Sequence, residues 1–386
     1  MRIAYITDET FPNNSASGLQ MIHTLSALAA VGAQVDLLFP VRPRERADPE
    51  GLRRVLQAHF HAECGFGLVP LPTHLSRRRV PVKVATGVAA TAAVLRGGYD
   101  LVHTRTVAPI LPCLAAKIPV IFETYRPLTQ QYPWSKGAFR RVGHHPSFAG
   151  IITHSKLARQ AFVDDGVPAE KVETIYNGFD PSAFAVARSP AEARALLGLP
   201  EAPTVVYTGR IAAVKNTDLL LDAAERTRGQ WVLAGATDDA ESRPYVERAQ
   251  RMPNVHLTGY LTGERLILAL QAADVLVIPP SADPLTRFGT TVLPIKLFTY
   301  VAAGRAIVAG QLPDARELLT DGVNARLVQP DDVAALAAGV NGLLADEALR
   351  ARLAEGARAT SASLTWEARA RRILAFAERR LGEAGH

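Results

Sequence analysis

Short, unbroken apolar runs alternate with amphipathic stretches along this whole chain, and that alternation constrains its fold more than any other feature. In the first half the strand-like runs are Ile3–Thr7, Val35–Phe39, Leu101–Thr104, Val120–Glu123, Gly150–His154 and Glu173–Tyr176. The second half has Thr204–Tyr207, Trp231–Ala234, Val255–Leu257, Val275–Ile278, Ala306–Ala309 and Ala325–Val328. Most are continuously apolar instead of alternating with polar residues. That is the pattern of strands buried on both faces of a parallel sheet. Helical periodicity fills the gaps, as at Leu19–Ala30, Asp218–Thr227, Arg265–Ala272 and Val333–Leu344. Alternating β and α of this kind predicts doubly wound α/β sheets.

The alternation pauses at Asn177–Pro200, which holds Pro181, Pro190 and Pro200. The pause predicts a linker between two similar Rossmann-like halves. A length of 386 residues suits two domains. Open parallel sheets bind ligands at the carboxyl ends of their strands, so two such edges facing across a cleft suggest an enzyme with two substrates.

Bulk properties narrow the setting. No apolar stretch reaches the ~18–20 residues that span a bilayer. Met1–Ile6 reads as the start of a strand and not as a leader, so a cytoplasmic protein is expected. Cys64 and Cys113 fit no metal motif and no disulfide framework. The net charge of +6 lies wholly in residues 1–182, with 20 Lys/Arg against 14 Asp/Glu; residues 183–386 carry 23 of each. The basic half has two readings: a solvated face, or a peripheral contact with an anionic membrane or acceptor. Nucleic acid is not expected, because the basic runs are not interleaved with aromatics.

The strongest local signal is Val205–Asn216. A strand ends at Gly209, a loop follows with Arg210 and Lys215, and then a helix begins. Two cations five residues apart at a βα loop suit a diphosphate. Arginine can grip phosphate oxygens in pairs, lysine acts as a point charge, and a helix N-terminus adds backbone donors. A solvated loop with two surface charges is the plain alternative.

This stretch resembles the phosphate loop of the family 4 retaining glycosyltransferases. Other segments agree with that family in the same order: Val172–Asp180, Trp231–Gly235, Val255–Tyr260 with Leu270–Pro280, Gly304–Ala309, Glu317–Pro330 and Thr365-Trp366. The resemblance implies a GT-B fold with domains at 1–182 plus 366–386, the last helix crossing back, and 183–365. It also implies a nucleoside-diphosphate sugar, UDP- or GDP-linked, held mainly by the second domain, and no cofactor or essential metal. Arg210 and Lys215 would neutralise the leaving diphosphate, commonly the largest catalytic contribution. Gly209 and Gly235 fall in the donor loops, and Tyr260 and Leu261 fall where the family contacts the base. In the first domain, Ser17 and Gly18 stand where a glycine-rich turn meets the phosphates. The acceptor, a glycan, lipid-linked glycan or metabolite, would enter from the first domain.

The sequence departs from the family at two places. The family has two glutamates separated by seven residues; here Thr291 and Thr299 occupy those positions, with Thr290 beside the first. A threonine offers one short hydroxyl where a carboxylate makes a charge-assisted bond. Lys296, one turn before Thr299, is a third candidate cation, and Asp283 and Glu317 are the nearby acids. Near the donor sugar many relatives carry a histidine, and here Tyr125 stands in its place after Glu123-Thr124. His103, Arg105 and Glu123 are the remaining polar candidates, on the acceptor side. A retaining glycosyltransferase is the principal reading; a weak or inactive relative that scaffolds another transferase is the alternative.

Overall fold

The computed structural model describes residues 1–42, 48–73, 79–288 and 292–384. The chain divides into two compact units, Met1–Asn177 with the segment from Trp366 onward, and Gly178–Thr365.

In the first unit the strands are β1 (Arg2–Ile6), β2 (Gln34–Pro40), β3 (Gly67–Leu71), β4 (Leu101–Thr104), β5 (Val120–Thr124), β6 (Phe148–Thr153) and β7 (Val172–Thr174). They form one parallel sheet in the order β3-β2-β1-β4-β5-β6-β7. Its helices are α1 (Ala16–Ala30), α2 (Pro49–Phe60), α3 (Arg79–Gly97), α4 (Ile110–Ala115), α5 (Leu128–Gln131), α6 (Lys136–Gly143) and α7 (Lys156–Asp164). Ala4, Ile6, Val102, Phe122 and Ile151 point to one face and pack against Val94 of α3, Cys113 of α4, Phe139 of α6 and Phe162 of α7. Burying each such phenylalanine is worth roughly 1.5–3 kcal/mol. Strand residues alternate in direction, so Tyr5, His103 and Glu123 face the opposite side. There Gln20 of α1 reaches Glu123 at 2.8 Å.

In the second unit β8 (Thr204–Thr208), β9 (Gln230–Ala234), β10 (Val255–Leu257), β11 (Val275–Val277), β12 (Ala306–Gly310) and β13 (Arg326–Val328) form a parallel sheet ordered β10-β9-β8-β11-β12-β13. The helices here are α8 (Pro190–Leu197), α9 (Thr217–Glu225), α10 (Arg243–Ala249), α11 (Gly263–Ala272), α12 (Asp283–Phe288), α13 (Lys296–Ala303), α14 (Val333–Ala345) and α15 (Glu347–Ser361). The last helix, α16 (Trp366–Ala384), belongs to the first unit. There the Trp366 ring stacks on His23 at 5.4 Å.

Two expectations from sequence change. The segment Asn177–Pro200 is not an open linker. Pro190 sits in the first turn of α8, where its missing N–H costs nothing, and Ser189 with Glu192 closes a reciprocal capping box. Ala193 of α8 then packs on Leu268 and Ala272 of α11. The division between the two units falls at Asn177/Gly178, at the start of this segment. The strand β3 was not among the expected strands. It contains Pro70, which cannot donate to a central ladder, and it lies at the sheet edge, where that loss is tolerated.

Candidate functional site

In the second sheet the strand order reverses between β8 and β11, and the loops after these two strands meet at the carboxyl end. The loop after β8 carries Gly209, Arg210 and Lys215; the segment after β11 leads to Lys296 at the start of α13. Gly209 has φ +140°, a conformation that other residues rarely adopt, and its N–H donates to the Ala234 carbonyl at 2.8 Å. A side chain at Gly235 would collide with the carbonyl oxygen of Gly209. The two glycines therefore let the loops after β8 and β9 lie backbone to backbone.

Lys296 is half-buried, and its ammonium group lies 4.0 Å from the centre of the Tyr207 ring, close against Gly209. Burial, then the like charge of Lys215, hold it well below the ordinary lysine pKa. The Tyr207 face compensates part of that cost by cation–π attraction. The Tyr207 hydroxyl donates to the Arg210 carbonyl at 2.9 Å. The Tyr300 hydroxyl accepts from the Thr208 N–H at 2.8 Å and ties α13 to the end of β8. Asn216, in a left-handed conformation, donates to Asp331 at 2.9 Å; Asp331 also accepts from the Ala282 N–H at 2.8 Å. These bonds hold the loops after β8 and β11 in register. Arg210 is exposed and pairs with Glu241 at 2.5 Å.

The structure thus brings Gly209, Arg210, Lys215, Gly235 and Lys296 to one end of one sheet. The Thr299 hydroxyl is spent locally, donating to the Lys296 carbonyl at 2.9 Å. Tyr260 is exposed after β10, whereas Leu261 is buried against Ala234 and Ala269, so it supports the loop and offers no face to a base. Asp283 is exposed at the start of α12, and Glu317 ends a 3₁₀ turn. Thr290 and Thr291 lie outside the described residues. Tyr207, Tyr300, Asn216, Asp331 and Glu241 were missed by sequence reasoning. Tyr300 adjoins the threonine that was singled out; Asp331 and Glu241 carry no local signal.

In the first unit the switch point lies between β1 and β4. Arg105 bonds to the Gln20 side chain there and approaches the Ser17 carbonyl at 3.5 Å. The Gly18 N–H is taken: it donates to the Ser15 hydroxyl at 2.8 Å, and that hydroxyl donates to Glu9 at 3.0 Å. As folded here, this turn presents a carboxylate where a phosphate was expected. Tyr125 is exposed beyond β5, with the Arg126 guanidinium 5.7 Å from its ring centre.

His103 and Glu123, expected on the acceptor side, are fully buried and partner each other. Glu123 accepts from His103 and His154 at 2.7 Å each and from Gln20 and Arg369 at 2.8 Å each. Arg369, on α16, also donates to Thr24 and to the carbonyls of Ile175 and Tyr176. The cluster joins α16 to the sheet and presents no group to an acceptor. Burial raises the Glu123 pKa, but the Arg369 charge and the two histidine donors outweigh it and hold the carboxyl well below the usual range. Burial pushes His154 down to about 4 despite Glu123 beside it. Both groups bind fewer protons folded than unfolded, so stability rises with pH and is lost as pH falls. For His154 the stabilisation is complete above pH 6.5 and is lost between 6.5 and about 4. The expected loss across that window is about 3 kcal/mol, read as a falling melting temperature, and His154→Asn should flatten that slope.

Comparison with known proteins identifies both halves of the chain. Residues 19–183 match the family model described as Glycosyltransferase Family 4, and residues 202–346 match Glycosyl transferases group 1. The phosphatidyl-myo-inositol mannosyltransferase of Mycolicibacterium smegmatis is 27% identical over 91% of this chain and 86% of that protein. The alpha-D-kanosaminyltransferase of Streptomyces kanamyceticus is 28% identical over 86% of this chain and 78% of its own length. Among solved structures, HepE of Anabaena in complex with UDP aligns with a TM-score of 0.72 at 19% identity, over 98% of this chain and all of that one. Sucrose-phosphate synthase of Thermosynechococcus elongatus aligns at 0.77 and 21% identity, over 99% of each chain. The fold is the expected GT-B fold of two Rossmann-like sheets. With both family models matched in tandem over most of its length, the chain belongs to glycosyltransferase family 4 and is a glycosyltransferase.

Proposed function

We propose that the chain is a retaining transferase that takes a sugar from a nucleoside diphosphate and gives it to a hydroxyl of a glycan, lipid-linked or metabolite acceptor. The observation that carries this reading is the position of Lys296. A half-buried ammonium group held beside a second lysine is unfavourable in isolation, and a bound diphosphate would relieve both the desolvation and the repulsion. In the reaction the bond between the anomeric carbon and the diphosphate breaks and a bond to the acceptor oxygen forms. Negative charge grows on the departing phosphate, and Arg210, Lys215 and Lys296 stand at one sheet edge to receive it. No metal or cofactor enters the proposal, because three cations can supply the neutralisation. The two relatives named above, a mannosyltransferase and a kanosaminyltransferase, support transfer of a hexose. A cytoplasmic location belongs to the same reading, since nucleotide sugars are spent there.

Thermal shift with UDP, GDP, ADP and dTDP and their common sugar conjugates tests it. A ligand that binds only the native state at 100 times its Kd stabilises by about 2.7 kcal/mol. One nucleotide should raise the melting temperature selectively, and Arg210→Ala and Lys215→Ala should each diminish the shift. No shift with any nucleotide at millimolar concentration would overturn the donor site.

A further inference from the structure

After β13 the chain reads Gln329-Pro330-Asp331-Asp332, two adjacent aspartates with different partners. Asp332 is accounted for by the helix that follows: its side chain accepts the Ala335 N–H at 2.9 Å and caps α14. Asp331 is not part of that cap. Its backbone is left-handed, φ +58°, which a residue with a side chain adopts only where its surroundings enforce it. One carboxylate oxygen accepts the Asn216 side-chain amide at 2.9 Å, and the other accepts the Ala282 N–H at 2.8 Å. The Asp331 N–H donates to the Pro280 carbonyl at 3.0 Å, and the Asn216 amide donates to the same carbonyl at 3.2 Å.

These bonds join the loops that follow β8, β11 and β13. In the sheet β13 stands three places from β8, so the loop after it reaches across the carboxyl end to Asn216. Asn216 directly follows Lys215 and is also left-handed, φ +55°. Its N–H donates to the Ala213 carbonyl at 2.8 Å and closes the short turn on which Lys215 sits. Ala282 lies just before α12, on the segment between β11 and Lys296. A glycine would adopt both left-handed conformations without strain. What asparagine and aspartate add at these two positions is the bond between them.

We infer that Asp331 and Asn216 are positioning residues for the donor diphosphate, a latch that fixes Lys215 relative to Lys296. The inference rests on the donor-site reading above and extends it to two residues that need not meet the donor. A cation stabilises a phosphate only at the right distance, and a shift of about 1 Å at a reacting site is costly. Asp331 acts through Asn216 on the loop of Lys215, and through Ala282 on the segment that leads to Lys296.

Asn216→Gly and Asp331→Gly remove the side-chain bonds and suit the left-handed backbone, so both variants should fold with melting temperatures near that of the wild type. Affinities for UDP, GDP, ADP and dTDP are measured by calorimetry in the wild type, Asn216→Gly, Lys215→Ala and the double variant. For the nucleotide that the wild type binds, Asn216→Gly should weaken binding about tenfold, and by less than about twofold once Lys215 is alanine, because no ammonium is then left to position. Asp331→Asn keeps one acceptor oxygen and should fall between the wild type and Asp331→Gly. Equal losses in both backgrounds would make the latch a structural bond only. Unchanged affinity in Asn216→Gly would also overturn the inference, with the donor site left standing. A wild type that binds none of the four nucleotides would overturn the donor-site reading and this inference with it.

Discussion

Lys296→Met is expected to lower kcat/KM with the donor by about 100- to 1000-fold while the melting temperature stays level or rises. The loss follows from where the charge sits. A cation in a partly desolvated site acts on developing phosphate charge far more strongly than one in water, and removing one preorganised donor commonly costs that factor. The stability follows from the same burial. An ammonium held against Tyr207 and beside Lys215 costs the fold free energy, and a methionine of similar length fills the space without it. Arg210→Ala should cost less, roughly tenfold, because Arg210 is exposed and its charge is shared with Glu241. The pH profile gives an independent reading. Lys296 carries its proton less tightly than an ordinary lysine, and a bound diphosphate favours the charged form. Donor affinity should therefore decline on the alkaline side at a lower pH than an ordinary lysine near 10.4 would give, and Lys296→Met should abolish that decline. Equal losses in all three cation variants, each with a lowered melting temperature, would count against a specific role for Lys296.

Glu123→Ala should be the most damaging single change to stability, by about 3–5 kcal/mol. It leaves the Arg369 guanidinium buried with no carboxylate, and it takes away the acceptor of both His103 and His154. For a unit of this size that corresponds to a fall in melting temperature of about 10 °C. Arg369→Met should cost less at mildly acid pH. There a neighbouring histidine can take up a proton beside Glu123, because Arg369 is one of the charges that depress His154. The double change Glu123→Ala with Arg369→Met should recover part of the loss, since an apolar pair leaves no isolated charge. Thermal melts of the four proteins at pH 7 and pH 5.5 would decide it. Additive losses in the double variant would mean that the pair is not coupled.

The residues themselves determined the architecture, because a strand covered on both faces has to be apolar throughout and a covering helix has to be apolar every third or fourth residue. Hence most strands, the major helices and the place of Arg210 and Lys215 on the first loop of the second sheet were legible along the chain. So was the ordered set of family segments, which needs only the residues and their succession. Tertiary structure alone decided which charges are buried. Glu123 ends an apolar run much as a surface residue would, and nothing near it announces that Arg369, 246 positions later, closes over it from α16. Lys296 reads as one more lysine until Tyr207 lies beneath it. Pro190 reads as a break yet opens a helix, and Pro70 sits in an edge strand, since a proline is tolerated wherever the missing N–H had no partner to lose. Solvation is set by what packs across the sheet, and local sequence holds no record of that neighbour.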